Sequence, residues 1–312
     1  MSRVLVTGAT GFVGRHLVRL LRESGEQVFG TCFPDHPDGK EEDFIHLDLR
    51  SEADLAEFVR RTRPERIVHL AAVSNVRQSW DRRTETIQTN LLGTSNLFEA
   101  VRRLAPGGRV LFLSSSDVYG ELSGEEKYFK EEDPCRVVNP YAFTKVAGEM
   151  LSRFYVQVEN LDIVIARPFP HSGPGQTPDF VFSDWARQVA LIERGQKPPF
   201  IEVGNLAIRR DYSDVRDTVK AYVLLLDKGR PGETYNVCSG KAVSLREVLD
   251  TLVRMAARPV EIRQDPSRLR KTDIPFLAGD GSKLRRETGW KPVIPFSQTL
   301  RDLLDYWREK TR

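Results

Sequence analysis

Apolar residues in the first half of the chain gather into short β-rich runs separated by stretches with helical periodicity. The runs fall at 3–7, 27–32, 44–49, 66–70, 109–114 and 161–167, and the helical patterns near 12–24, 52–62, 84–104 and 140–159. Strands alternating with helices predict a parallel sheet covered on both faces, and right-handed crossovers make it a doubly wound, Rossmann-type sheet. After Arg167-Pro168 the texture changes. Residues 171–178 are rich in Gly and Pro and read as a loop. A helix near 179–194, a short strand after Pro198-Pro199, and a helix and strand within 213–238 follow. The last of these, 233–238, is placed to rejoin the main sheet. Helices near 243–256 and 297–309 complete the pattern. The reading is α/β, with a larger domain of 1–167 plus 208–238 and a smaller, discontinuous α/β domain of 168–207 plus 239–312.

Composition narrows the partners. The 312 residues carry 47 basic and 44 acidic side chains, a net charge of +3. That balance, without a polybasic run, argues against nucleic acid. No apolar stretch approaches the 18 residues of a membrane span. Met1 leads into a strand within two residues, which leaves no room for a signal peptide. Cys32, Cys135 and Cys238 are widely spaced and form neither a disulfide framework nor a zinc pattern. No metal is expected, and a cytoplasmic location is.

Chemistry enters with Thr7-Gly8-Ala9-Thr10-Gly11-Phe12-Val13-Gly14, directly after the apolar run Val4-Leu5-Val6. Gly8 permits a tight turn, Gly11 lets backbone approach a pyrophosphate, and Gly14 lets the helix pack on the strand. The helix N-terminus then offers free N–H groups to the anion. Asp48, after the third strand, is placed either to meet an adenine or to serve as a turn aspartate. No carboxylate ends the second strand at Gly30-Thr31-Cys32-Phe33, which removes a charge that would repel a 2′-phosphate, although no arginine sits there to attract one. The balance falls to NADP(H), with NAD(H) open.

A second motif, Tyr141-Ala142-Phe143-Thr144-Lys145, puts tyrosine and lysine one helical turn apart. Asn139 and Pro140 form a cap and first-turn pair, placing Tyr141 at the exposed start of the helix. A nearby ammonium, together with the positive nicotinamide ring of an oxidised cofactor, favours the phenolate, so Tyr141 is the candidate general acid or base. Upstream, the buried run 111–113 ends in Ser114-Ser115-Ser116-Asp117, where an open α/β sheet places its ligand crevice. Ser115 is the candidate donor to a substrate carbonyl. Asn90, inside a helical pattern, either supports the proton relay or a water, or marks a structural kink.

These motifs resemble the extended short-chain dehydrogenase/reductase family over essentially the whole chain. They include His69-Leu70-Ala71-Ala72, the Ser-Ser-Ser-Asp-Val-Tyr-Gly strand end and Arg167-Pro168-Phe169. Within its nucleotide-sugar branch, the second half is most similar to reductases of GDP-4-keto-6-deoxy-D-mannose, which make GDP-D-rhamnose. The stretches that carry this are Gly173-Pro174-Gly175-Gln176, 203–206, 210–217 and 235–240. The loop 72–80 is shared with GDP-mannose 4,6-dehydratases.

The resemblance implies Ser115, Tyr141 and Lys145 as catalytic. It implies cofactor contacts from Gly8, Thr10, Gly11, Phe12, Val13, Gly14, Asp48, Leu49, Leu70, Ala71, Ala72 and Pro168 besides Tyr141 and Lys145. For the GDP-sugar it implies Ser74, Ser116, Asp117, His171, Phe180, Val181, Gly204 and Asn205, with Arg210 and Arg270 on the diphosphate. It also implies a homodimer through the helices 84–104 and 140–159, whose Leu91, Leu97, Phe98, Val101, Val146 and Met150 serve equally as core. Three departures stand out: Pro170 replaces the usual Asn, Phe33 stands where an arginine is expected, and Lys271 replaces a proline after Arg270. The leading expectation is a 4-keto reductase. A 4,6-dehydratase or a 4-epimerase would use the same three residues. Relatives that dehydrate carry Thr and Glu where this chain has Ser115 and the shorter Asp117. A dinucleotide-sensing protein without catalysis is the third alternative, and such relatives usually lose the Tyr or Lys kept here.

Overall fold

The computed structural model describes residues 1–33, 44–121, 126–268 and 274–312. Seven strands form one sheet, in the order Thr234–Val237, Ile163–Pro168, Arg109–Leu113, Arg66–His69, Arg3–Thr7, Gln27–Cys32 and Phe44–His46. Every neighbouring pair is parallel. The period-2 pattern explains why both faces are covered. Val4, Val6, Val68, Leu111 and Leu113 point to one face, against the helices Phe12–Glu23 and Val215–Lys228. Leu5, Ile67, Val110 and Phe112 point to the other, against the helices Glu52–Thr62 and Gly93–Leu104 and Tyr155 of the helix Pro140–Glu159. Strand order reverses on either side of Arg3–Thr7, so a crevice opens beyond the carboxyl ends of that strand and Arg66–His69. The strand at 233–238 does rejoin the sheet, as Thr234–Val237 beside Ile163–Pro168.

A separate core joins the helices Val181–Glu193, Leu245–Met255 and Phe296–Lys310 through Trp185, Val189, Leu249, Leu252, Leu300 and Leu303. The parallel pair Phe200–Val203 and Glu261–Gln264 flanks it. Tyr212 belongs to this core, whereas Leu284 and Trp290 pack on the main sheet. A four-stranded sheet, ordered Ala242–Ser244, Arg209–Asp211, Phe276–Gly279 and Tyr128–Phe129, was not anticipated. Among the described residues no helix is long and apolar enough to cross a membrane.

Two elements differ from the sequence reading. The third strand ends at His46 rather than 49, because Asp48 closes a turn: its Oδ1 accepts from Arg50 N at 2.9 Å, and its carbonyl from Ser51 N. Ser51 then caps the next helix. The single helix expected at 84–104 begins earlier and is broken into Val76–Asp81, Arg83–Ile87, a π-helical turn Gln88–Leu92 and Gly93–Leu104. Asn90 sits in the π turn, and such turns mark a local adjustment to a bonding need.

Gly148 lets the helix Pro140–Glu159 cross the central strand closely: a Cβ there would stand 2.4 Å from the Phe112 ring. Gly148→Ala gains about 1 kcal/mol of helix propensity, but forcing a methyl onto a fully buried ring costs about 1–3 kcal/mol. The expected net result is a lower melting temperature by thermal denaturation; an unchanged or raised one would contradict this close approach.

Candidate active site

The glycine loop turns as its sequence demands. Gly8 has φ +70°, and a Cβ on it would press on Ala71 backbone at 3.0 Å. A Cβ on Gly14 would stand 2.3 Å from the Gly8 carbonyl oxygen. No side chain caps the helix that begins at Phe12, which leaves its first-turn N–H groups facing the crevice. This cradle, with small residues and uncapped donors, fits a dinucleotide pyrophosphate. Thr7 Oγ1 accepts from Ala71 N at 3.2 Å and meets His69 Nδ1 at 2.8 Å, tying the two strand ends together across the crevice. Burial pushes the His69 imidazole down to about 3, with Lys145 acting in the same direction, so it is neutral.

Asp48 does not present a free carboxylate. Arg50 holds it through Nε at 2.9 Å and Nη2 at 2.6 Å. Leu49 is buried against Gly93. Phe33 is half exposed at the end of the second strand.

On the other side of the crevice the helix starts as read: Asn139 Oδ1 accepts from Ala142 N at 2.7 Å and Pro140 takes the first turn. Tyr141, however, is buried, at 8% exposure, not exposed. Its phenol faces the Ser115 hydroxyl and the Asp117 carboxylate. Burial pushes the phenol well above its usual value, Asp117 adds to this, and the Ser115 hydrogen bond opposes it. The expected lowering by an ammonium is absent from the protein alone. Lys145 Nζ lies 5.6 Å from the Tyr141 ring centre, but it donates to the Leu113 carbonyl at 2.8 Å. Burial brings Lys145 down to about 8.

Ser115 begins a 3₁₀ turn, Ser116–Tyr119, in which its Oγ accepts from Asp117 N at 3.1 Å. Burial raises the Asp117 carboxyl, against the opposing charge of Arg210. The Arg210 guanidinium is therefore within electrostatic reach of Asp117. Ser116 is buried, Ser74 is exposed in the loop before Asn75, and Pro168 ends its strand. His171 lies on the cofactor side: its ring stacks on Phe12 at 6.3 Å and its Nδ1 donates to the Phe169 carbonyl at 3.0 Å. Pro170 is held by its carbonyl, which accepts from Ser213 N. Phe180, Val181, Gly204 and Asn205 lie on the smaller core, at the start of Val181–Glu193 and after Phe200–Val203. Arg270 lies outside the described residues. No group of three His, Cys, Asp or Glu among the described residues could hold a metal ion.

Several residues of the site's support escaped the sequence reading. Glu149 Oε1 accepts from Ser114 Oγ at 2.6 Å and from Arg167 Nε at 2.7 Å; its Oε2 accepts from Arg167 Nη2 at 2.8 Å. Burial raises the Glu149 carboxyl, but Arg167, Ser114 and Arg153 outweigh it and hold it below the usual range. Arg167 also donates to the Tyr119 hydroxyl at 2.9 Å, and that hydroxyl donates to Asn236 at 2.6 Å. The signal was available: Glu149 repeats the four-residue spacing of Tyr141 and Lys145, and Arg167 is a charge inside an apolar strand. Asn90 holds both Val73 backbone groups, at 2.8 and 3.1 Å, and donates to Thr144 Oγ1 at 3.1 Å. Thr144 in turn donates to the Tyr141 carbonyl.

With this geometry in view, the relatives agree. The profile of the family described as GDP-mannose 4,6 dehydratase matches residues 5–303. The chain is 36% identical to a GDP-6-deoxy-D-mannose reductase of Pseudomonas aeruginosa, covering all of this chain and 99% of the relative. A structure of RMD from Pseudomonas aeruginosa complexed with NADPH superposes with a TM-score of 0.89 at 34% identity, covering 99% of this chain and 100% of the other. A Thermus thermophilus UDP-glucose 4-epimerase in complex with NAD gives 0.87 at 30% identity, covering 98% and 99%. The chain belongs to the GDP-mannose 4,6 dehydratase family, within the extended short-chain dehydrogenases/reductases.

Proposed function

We propose that this protein reduces the C4 ketone of GDP-4-keto-6-deoxy-D-mannose to give GDP-D-rhamnose. The observation that carries the reading is a buried tyrosine held protonated between Ser115 and Asp117, beside Lys145. Burial keeps the phenol in its protonated form, and reducing a ketone requires a proton donor at the oxygen. NADP(H) is the cofactor of choice over NAD(H): Thr31, Cys32 and Phe33 end the second strand without a carboxylate, and a close structural relative is described with NADPH. Gly8, Thr10, Gly11, Phe12, Val13 and Gly14 would hold its pyrophosphate, with Leu70, Ala71, Ala72 and Pro168 lining its further course. The smaller lobe, built on the core around Trp185 and Leu249, would carry the GDP, with Arg210 on the diphosphate, where a guanidinium matches phosphate oxygens.

When bound, the reduced nicotinamide supplies the hydride to C4. Tyr141 gives its phenolic proton to O4. Ser115 Oγ, fixed by the Asp117 amide at 3.1 Å, orients its own proton toward the reacting oxygens. Lys145, anchored on the Leu113 carbonyl, keeps a positive charge beside the phenolate that remains.

A homodimer fits this reading. The helix Pro140–Glu159 exposes Phe143, Met150, Phe154 and Val158 at 46, 67, 48 and 59%, beside exposed Trp80, Ile87 and Leu92. Of the positions first considered, Leu97, Phe98 and Val101 are core instead. A contiguous apolar face of this kind calls for a partner surface, and a second copy supplies it by symmetry.

Supplied with GDP-4-keto-6-deoxymannose and NADPH, the enzyme should oxidise the cofactor with appearance of a GDP-6-deoxyhexose. Tyr141→Phe should lower turnover by about 100- to 10,000-fold while cofactor binding survives; unchanged turnover would sink the assigned acid. Because Lys145 is charged only below about 8, kcat/KM for the cofactor should fall as pH rises through that value, and a flat profile to pH 10 would contradict it. Light scattering should give twice 35.5 kDa for the wild type and a monomer for Met150→Glu/Phe154→Glu; a monomeric wild type would rule the dimer out.

A further inference from the structure

The helix Val181–Glu193 begins beside two exposed apolar side chains, Phe180 and Val181, and carries Asp184 in its first turn. Asp184 is half-buried, and its Oδ2 accepts from Gln188 Nε2 at 2.7 Å. Among the described residues its Oδ1 accepts no hydrogen bond and no cation forms an ion pair with it. The charges of Arg187, Arg268 and Lys197 act on it from a distance, while burial raises it. Arg268 belongs to the turn that closes over Gly204, where a Cβ would stand 2.6 Å from the Arg268 carbonyl oxygen. Asp184, Phe180, Gly204 and Arg268 therefore gather at one end of the smaller core.

A half-buried carboxylate whose Oδ1 has no partner among the described residues can take the donors of a ligand there. An ionised carboxylate is acceptor-only. The edge it complements carries two adjacent N–H donors. Guanine offers that edge, N1–H beside the N2 amino group. Uracil and thymine offer one N–H between two carbonyls, which would face the carboxylate with like polarity. Phe180 supplies a π-face for the base to stack on, and Arg268 a donor for the base's acceptor edge.

We propose that Asp184 is the specificity-determining residue for the base, selecting guanine by accepting from N1–H and N2–H, with Gln188 fixing its rotamer. This deepens the GDP-sugar reading and rests on it.

The test is calorimetric binding of GDP, IDP (which lacks the N2 amino group) and UDP to the wild type and to Asp184→Asn, with NADPH binding as the control for folding. Wild type should bind GDP about tenfold or more tighter than IDP, and UDP more weakly still, as expected for a hydrogen bond to a charged group. Asp184→Asn should lose about 10- to 100-fold in GDP affinity and most of the GDP-over-IDP preference, with NADPH affinity unchanged. Equal binding of GDP and IDP by the wild type, or an intact preference in Asp184→Asn, would overturn the assignment while leaving the nucleotide-sugar reading standing. If the wild type binds NADPH but no nucleoside diphosphate, the nucleotide-sugar reading itself fails, and this assignment with it.

Discussion

The site depends on one buried ion pair. Glu149 and Arg167, at 1 and 3% side-chain exposure, meet in a two-pronged contact of 2.7 and 2.8 Å. Burying two charges is costly, and attraction alone seldom offsets it. Here the remaining polar capacity is used: Ser114 and Arg153 donate to the carboxylate, and the guanidinium also reaches Tyr119 and the Glu131 carbonyl. Removing either partner would strand the other, a loss of about 3–5 kcal/mol for such pairs.

The contacts join the parts that must agree for chemistry. Ser114 precedes Ser115 at the end of the central strand, Glu149 follows one helical turn after Lys145 and two after Tyr141, and Arg167 is the last residue but one of the neighbouring strand, before Pro168. The pair thus fixes the helix face on which the phenol and ammonium sit against the strand end that carries the hydroxyl. Opposite, Thr7, His69 and Ala71 tie the glycine loop to the next strand. Asn90 reaches from its π turn to the Tyr141 helix. Two rigid walls result, with the crevice between them.

The walls were legible in the sequence because they rest on local rules. Short apolar runs alternating with helical stretches gave the parallel strands, the glycine spacing gave the loop, and Asn139-Pro140 gave the helix start. What was not legible depends on distant partners. Whether Leu97 or Met150 is core or surface requires knowing which face meets the sheet. The π turn exists because Asn90 bonds Val73 and Thr144, residues 17 and 54 positions away. Tyr141 was expected at an exposed helix start, but it is buried; in the protein alone burial and Asp117 raise its phenol, and the ammonium is turned to a backbone carbonyl. Asp184 carries no motif, and that its Oδ1 has no partner among the described residues is visible only in three dimensions.

The account's central claim is net reduction at C4, with Tyr141 protonating the oxygen. NADPH carrying deuterium at the transferable C4 position, incubated with the enzyme and GDP-4-keto-6-deoxymannose, tests it most directly. The account predicts one deuterium at C4 of the sugar product by NMR, matched by one oxidised cofactor. A product without deuterium at C4, or sugar conversion with no net cofactor oxidation, would contradict it and assign the same residues to a self-recycling reaction.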